Sequence, residues 1–230
     1  MDSSGQEPPT TQHSGPTVTY DTVPSTTGNV VTGTTKEPSS FGVIPKELGS
    51  SLLHGGGGKW RTTLTPFPLW GQLIDWTAKG ENDNNSQYNC GPESIAMVLK
   101  YLTGIELPAY YIKDVETSMS YVGDTTTVEM VHYFTTLCET KVTEHVAQSK
   151  EHLAWLIWKY LHDGKPLIWL RSFASPTDTV YHFAPIVYAD NNMIGEADPW
   201  TAQMKYYTYD EAYSWFAGWL LGIERTRSIA

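Results

Sequence analysis

The sequence predicts an α+β domain, with N-terminal helices packed on a mostly antiparallel sheet and an extended arm in front. Three observations carry this expectation. Composition changes sharply near residue 60; segments between residues 90 and 163 repeat apolar residues at helical spacing; and beyond residue 165 short apolar runs alternate with turn residues.

The arm comes first. Of the first 50 residues, 29 are Ser, Thr, Pro or Gly, too little apolar area to offset the entropy of ordering them. All nine tryptophans lie from Trp60 to Trp219, so the division expected is residues 1–59 as arm and Gly-rich joint ("HGGGGKW") and 60–230 as the folded domain. In "CGPESIAMVLKYLTG", Ile95, Val98, Leu99 and Leu102 recur on one helical face, Pro92 suits the first turn and Gly104 the stop. In "TTTVEMVHYFTTL", Thr126 and Glu129 form a capping box for a second helix reaching about Leu137. Ser149 caps a third, with Leu153, Leu156, Ile157 and Tyr160 inward and Gly164 and Pro166 as stops.

Strands follow at 166–172, 181–189, 193–197 and 203–209, with Asp190-Asn191-Asn192 as a hairpin turn. A short helix, "YDEAYSWFAG", and a last strand, "WLLGIERT", close the domain. Most of the tryptophans, and Cys138 at the end of its helix, are expected in the core.

Charge narrows the function. A net charge of −10 with scattered Lys and Arg offers no basic stripe for nucleic acid and no polybasic membrane anchor. No apolar run approaches membrane-spanning length, and the opening "MDSSGQEPPTTQHSG" lacks the basic and apolar parts of an export signal. The expected setting is cytoplasmic or within a virus-like particle. No H-x-x-x-H or C-x-x-C spacing occurs, so neither a metal nor another cofactor is expected.

The chemistry centres on Cys90, directly before Gly-Pro at a helix start. Backbone N–H groups and the helix dipole there favour a thiolate and can receive an oxyanion. Gly91 would let a substrate carbonyl approach the backbone. A buried cysteine opening a helix would look the same. What separates the readings is a base and its orienter. His132, His152 and His162 lie among polar neighbours on helices, whereas His182 opens the apolar strand "YHFAPIVYA". Asp198 lies as far beyond Asp190 as His182 lies before it, so a hairpin turned there sets the pair at or beside cross-strand positions. Gln87 and Asn84, upstream of the cysteine, are candidate side-chain donors to an oxyanion.

"NCGPESIAMVLKYLTG", "YHFAPIVYADNNMIGEADPW" and "YTYDEAYSWFAGWLLGIER", in that order over about residues 85–226, resemble the C39-like family of papain-fold cysteine peptidases. The resemblance implies that fold, with Cys90 as nucleophile, His182 as general base and acid, and Asp198 as orienter. The family's oxyanion glutamine usually lies about six residues before the cysteine, where this chain has Asn84; the nearest glutamine is Gln87. The family favours small residues beside the scissile bond.

Two functions follow. One is a cysteine peptidase that cleaves a peptide or isopeptide bond in a peptide or protein substrate, carried in a larger assembly such as a virus particle. The other is a structural or binding component of such an assembly, with a catalytically silent C39-like domain. In both, the arm is expected to contact other subunits.

Overall fold

A computed structural model describes residues 17–20, 50–53, 59–73, 89–117 and 125–224, with the side chains of 17–20 and 114–117 left aside. The strands are β1 (Thr17–Tyr20), β2 (Arg61–Thr65), β3 (Val142–His145), β4 (Leu167–Ser172), β5 (Tyr181–Asp190), β6 (Met193–Asp198), β7 (Gln203–Thr208) and β8 (Phe216–Ile223). The helices are α1 (Cys90–Thr103), α2 (Ala109–Thr117), α3 (Thr127–His132), α4 (Lys150–His162) and α5 (Tyr209–Trp215). The sheet runs β1-β2-β5-β4-β8-β3, with β6 paired to β5 and β7 to β6, and every pairing is antiparallel.

The expected helices form for the expected reasons. The α3 capping box closes in both directions, from Glu129 N–H to Thr126 Oγ1 and from Thr126 N–H to Glu129 Oε2. Ser149 Oγ accepts from His152 N–H at the start of α4. Gly104 ends α1 in the left-handed region at φ 77°, where a Cβ would be strained. α1 differs in one respect: it is buried on nearly every side, Glu93 and Ser94 included, because it runs through the core against β5. Its Ser94 Oγ donates to Phe183 O at 3.2 Å, tying helix to strand. α3 continues as a π-helical turn, Tyr133–Leu137.

Three elements inside the domain were not expected. β2, β3 and α2 are short and rich in Thr, Tyr or charge, so none carries a full period of apolar residues. Two segments before residue 60 are also among the described residues. β1 adds a strand to the edge of β2, in register from Thr17↔Thr65 to Tyr20↔Thr62. Leu52 is buried, and its carbonyl accepts from Trp60 Nε1 and Asn191 Nδ2. The joint at 54–58 lies outside the described residues. Of the tryptophans, Trp60, Trp169 and Trp219 are buried, whereas Trp70, Trp155, Trp158, Trp200 and Trp215 are only half-buried. Cys138 packs against the core, and burial pushes its thiol up to about 11. None of the described helices is long and apolar enough to cross a membrane.

β8 packs under α4 with no room to spare. A Cβ at Gly222 would lie 2.1 Å from Tyr160 Cζ, and that ring is buried with its hydroxyl 2.8 Å from His145 Nε2. Gly222→Ala is therefore expected to cost roughly 1–3 kcal/mol through forced displacement of the ring. A lowered urea midpoint at unchanged slope would show it; an unchanged midpoint would mean that the helix shifts freely over the strand.

Candidate active site

Cys90 is the first residue of α1 and is half-buried. Asn89 precedes it without a side-chain capping bond; its Oδ1 instead accepts from Lys113 Nζ of α2 at 2.9 Å. The Asn89 side chain therefore offers no acceptor to the helix's leading N–H groups, the arrangement that suits an incoming anion. Gly91 is also sterically constrained. A Cβ there would lie 2.5 Å from Thr125 Cβ, so the glycine makes room for Thr125.

His182 and Asp198 meet inside the sheet. His182 Nε2 and Asp198 Oδ1 are 2.7 Å apart and both residues are buried. The register sets them beside each other rather than directly opposite. Two residues, Asn191 and Asn192, turn the hairpin, with Ala189 opposite Ile194 and Tyr188 opposite Gly195. A bulge between Ile186 and Tyr188 then shifts the pairing to Ile186↔Glu196. Continued outward, that phase sets Asp198 opposite Ala184 and one diagonal step from His182. Without the bulge Asp198 would point to the other face.

The carboxylate is held on both oxygens. Oδ1 accepts from His182 and from Trp200 N–H at 3.3 Å. Oδ2 accepts from Thr201 N–H at 3.2 Å and Thr201 Oγ1 at 2.7 Å, and lies 2.8 Å from Lys205 Nζ. Burial would push this carboxyl up, but the hydrogen bonds from His182, Lys205 and Thr201 outweigh it and hold the group well below the usual carboxylate range. For His182, burial disfavours the charged ring; hydrogen bonds with Asp198 and with the Cys90 thiol, plus attraction to its thiolate, more than offset that and raise its affinity for a proton. Arg171 acts against the raised value. With Nε2 committed to Asp198, the ring nitrogen left for the thiol is Nδ1.

The structure thus joins His182 to Asp198, and the Cys90 thiol adds to the raised proton affinity of the His182 ring. Gln87 and Asn84 lie outside the described residues. Around the pair are groups that the sequence reading did not single out. Arg171, directly across from His182 on β4, pairs with buried Glu196 through Nη2 at 2.8 Å and Nε at 3.0 and 3.1 Å. Trp169 Nε1 and Tyr207 Oη also donate to Glu196, at 2.7 and 3.0 Å. The available signal was a charge in each of two otherwise apolar strands, "PLIWLRS" and "MIGEA". Phe173 borders the His182 ring at 5.3 Å between centroids and meets Trp200 edge-on at 5.0 Å, an aromatic cover over one side of the site. The segment after β2 lies against the turn beyond Asp198, where Gln72 N–H donates to Pro199 O at 2.7 Å. Among the described residues, no group of three or more His, Cys, Asp or Glu is arranged to hold a metal.

A half-buried thiol at a helix start, with a buried histidine hydrogen-bonded to a carboxylate, is a constellation able to attack a carbonyl carbon. No model of a known protein family matches the sequence, and no curated protein matches it. Solved structures do. The chain is similar to a candidate C39-like peptidase from Bacillus anthracis, with a TM-score of 0.51 at 13% identity, covering 73% of this chain and 99% of that one. It is also similar to the peptidase domain of Streptococcus ComA, a bifunctional ABC transporter of a quorum-sensing pathway. That match has a TM-score of 0.48 at 17% identity, over 61% of this chain and 93% of that one. The Bacillus anthracis structure fixes the fold, which is that of the C39-like peptidases.

Proposed function

We propose that the protein is a cysteine peptidase that cleaves a peptide or isopeptide bond, with Cys90 as nucleophile, His182 as general base and acid, and Asp198 as orienter. The observation that supports it most is the buried 2.7 Å contact between His182 Nε2 and Asp198 Oδ1, made by the same ring whose proton affinity the Cys90 thiol raises. In acylation the thiol proton passes to His182 and Sγ forms a bond to the substrate carbonyl carbon. The resulting oxyanion is received by backbone N–H at the head of α1, with Gln87 or Asn84 proposed as the side-chain donor. The C–N bond then breaks and His182 returns its proton to the leaving amine. Water attacks the thioester, giving a proton to His182; the acid departs and Cys90 regains the proton.

The substrate proposed is a peptide or protein segment with small residues at the scissile bond. Carriage in a larger assembly such as a virus particle, with the arm contacting other subunits, belongs to the same proposal and rests on the arm's composition. The test is cleavage of peptides that present Gly-Gly, followed by mass spectrometry with and without iodoacetamide. Thiol-sensitive cleavage is expected. Intact peptides across a varied library would leave the domain as a binding component.

Asp198→Asn separates orientation from bulk. The amide keeps the shape but cannot stabilise the imidazolium, and kcat is expected to fall about 10³–10⁴-fold. The variant also reports on pH. The Asp198 carboxyl is held low, so its contribution to stability is present above the ordinary carboxyl range near pH 4 and is lost as pH falls through the folded value. His182 is held high, so its contribution is present below about pH 6.5 and is lost as pH rises through the folded value. Melting temperatures from pH 3 to 9 should therefore vary less in Asp198→Asn than in the wild type; equal variation would remove the pair from the account.

A further inference from the structure

The Asp198 carboxylate faces more cations than orienting a histidine requires. His182 reaches Oδ1 from β5, Arg171 Nη2 stands 3.8 Å from Oδ1 on β4, and Lys205 Nζ lies 2.8 Å from Oδ2 on β7. Register explains how Lys205 arrives: it pairs with Glu196 across β6–β7, one diagonal step from Asp198, which itself pairs with Gln203. Its side chain is 38% exposed while the carboxylate it holds is fully buried. An ammonium on the rim thus reaches a charge in the interior, unlike an ordinary surface pair.

Charge in the cluster comes as two opposed sets. Arg171 and Lys205 are positive, and Glu196 and Asp198 are negative, so the four balance before His182 takes a proton. A protonated His182 is then a fifth charge, which only the Cys90 thiolate on α1 is left to balance. Without Lys205 the cluster would carry one excess negative charge beside the ring and hold the imidazolium proton more tightly.

We propose that Lys205 is a positioning residue of this site: its ammonium fixes Asp198 through Oδ2 and offsets its charge, so that His182 can give up its proton to the leaving amine. The catalytic half of this statement rests on the peptidase reading above; the electrostatic half does not. Lys205 lies on an edge strand and half in solvent, so Lys205→Met is expected to fold, and a single cooperative melt at a modestly lowered midpoint would verify it.

The experiment uses the full chain as wild type, Lys205→Met, Lys205→Arg and Lys150→Met. The last removes the surface Lys150–Asp210 pair, a charge change of the same size on the outside of the domain. The His182 imidazole resonance is followed against pH by NMR, assigned by its loss in His182→Asn. Its midpoint is expected to rise by roughly half to one pH unit in Lys205→Met, to return in Lys205→Arg and to stay fixed in Lys150→Met. With a cleaved peptide, the alkaline limb of kcat should move the same way and kcat should fall severalfold at neutral pH, with KM unchanged. A midpoint that does not move in Lys205→Met, or moves as far in Lys150→Met, overturns the proposal. If the wild type cleaves nothing, the peptidase reading fails while the NMR result still decides what Lys205 does.

Discussion

Cys90→Ala is expected to abolish peptide cleavage, lowering kcat/KM by about 10⁴-fold or more, without measurable loss of fold. Each tenfold is about 1.4 kcal/mol of transition-state stabilisation, so the loss is on the order of 5 kcal/mol. None of it should appear in stability, for two reasons. The side chain is only half-buried, and alanine is at least as good a helix former at the head of α1. Alkylation separates the cysteine's chemistry from substrate choice. At neutral pH iodoacetamide should label Cys90 well ahead of Cys138, whose thiol burial pushes up to about 11. His182→Ala should remove most of that lead. Two thiols that label at one slow rate would mean that the histidine does not act on Cys90, and residual turnover in Cys90→Ala would point to another nucleophile.

Much of the candidate site was legible because it obeys local rules. A cysteine before Gly-Pro at a helix start, and a histidine and an aspartate at similar distances from one turn, need only the two periods of regular structure to be placed. The register was legible only in outcome. The two-residue turn Asn191-Asn192 sets one phase, and the bulge before Tyr188 reverses it, restoring the face on which Asp198 meets His182. In "YHFAPIVYADNN" only Pro185, which has no N–H for a ladder, marks the irregularity. β2, β3 and α2 were lost for a different reason. Each is too short or too polar for its own period to rise above its neighbours, and each is fixed by pairing or packing with distant segments. Arg171 and Glu196 were visible as letters but not as a pair, because 25 residues and two strand crossings separate them.

That pair explains how an apolar sheet can carry four charges beside His182. The Glu196 side chain is 0% exposed and its oxygens receive donors from Arg171, Trp169 and Tyr207. Arg171 in turn donates from Nη1 to the carbonyls of Ser172 at 2.9 Å and Phe173 at 3.2 Å. Its guanidinium lies 5.8 Å from both the Tyr207 and Trp215 rings. The second function of the pair is to hold the start of the segment carrying Phe173, the ring that covers His182. Neutral side chains could fill the volume, but the guanidinium also spans from β4 to the loop above it.

Arg171→Met is accordingly expected to cost about 3–5 kcal/mol, since it leaves a fully buried carboxylate with two neutral donors and no counter-ion. That is a large part of the 5–15 kcal/mol typical of a domain, so the variant should unfold at markedly lower urea. Glu196→Gln alone should cost less, because the amide keeps most of the shape and Arg171 retains the Ser172 and Phe173 carbonyls. The double variant decides the cause. If desolvated charge is the issue, Arg171→Met with Glu196→Gln should recover 1 kcal/mol or more over Arg171→Met, a coupling that independent sites do not show. Additive losses would instead assign the cost to packing against Tyr207 and Trp215. Activity supplies the second axis. In the double variant the charges around Asp198 and His182 lose one cation and one anion together, so whatever fold survives should retain the His182 titration better than Lys205→Met does.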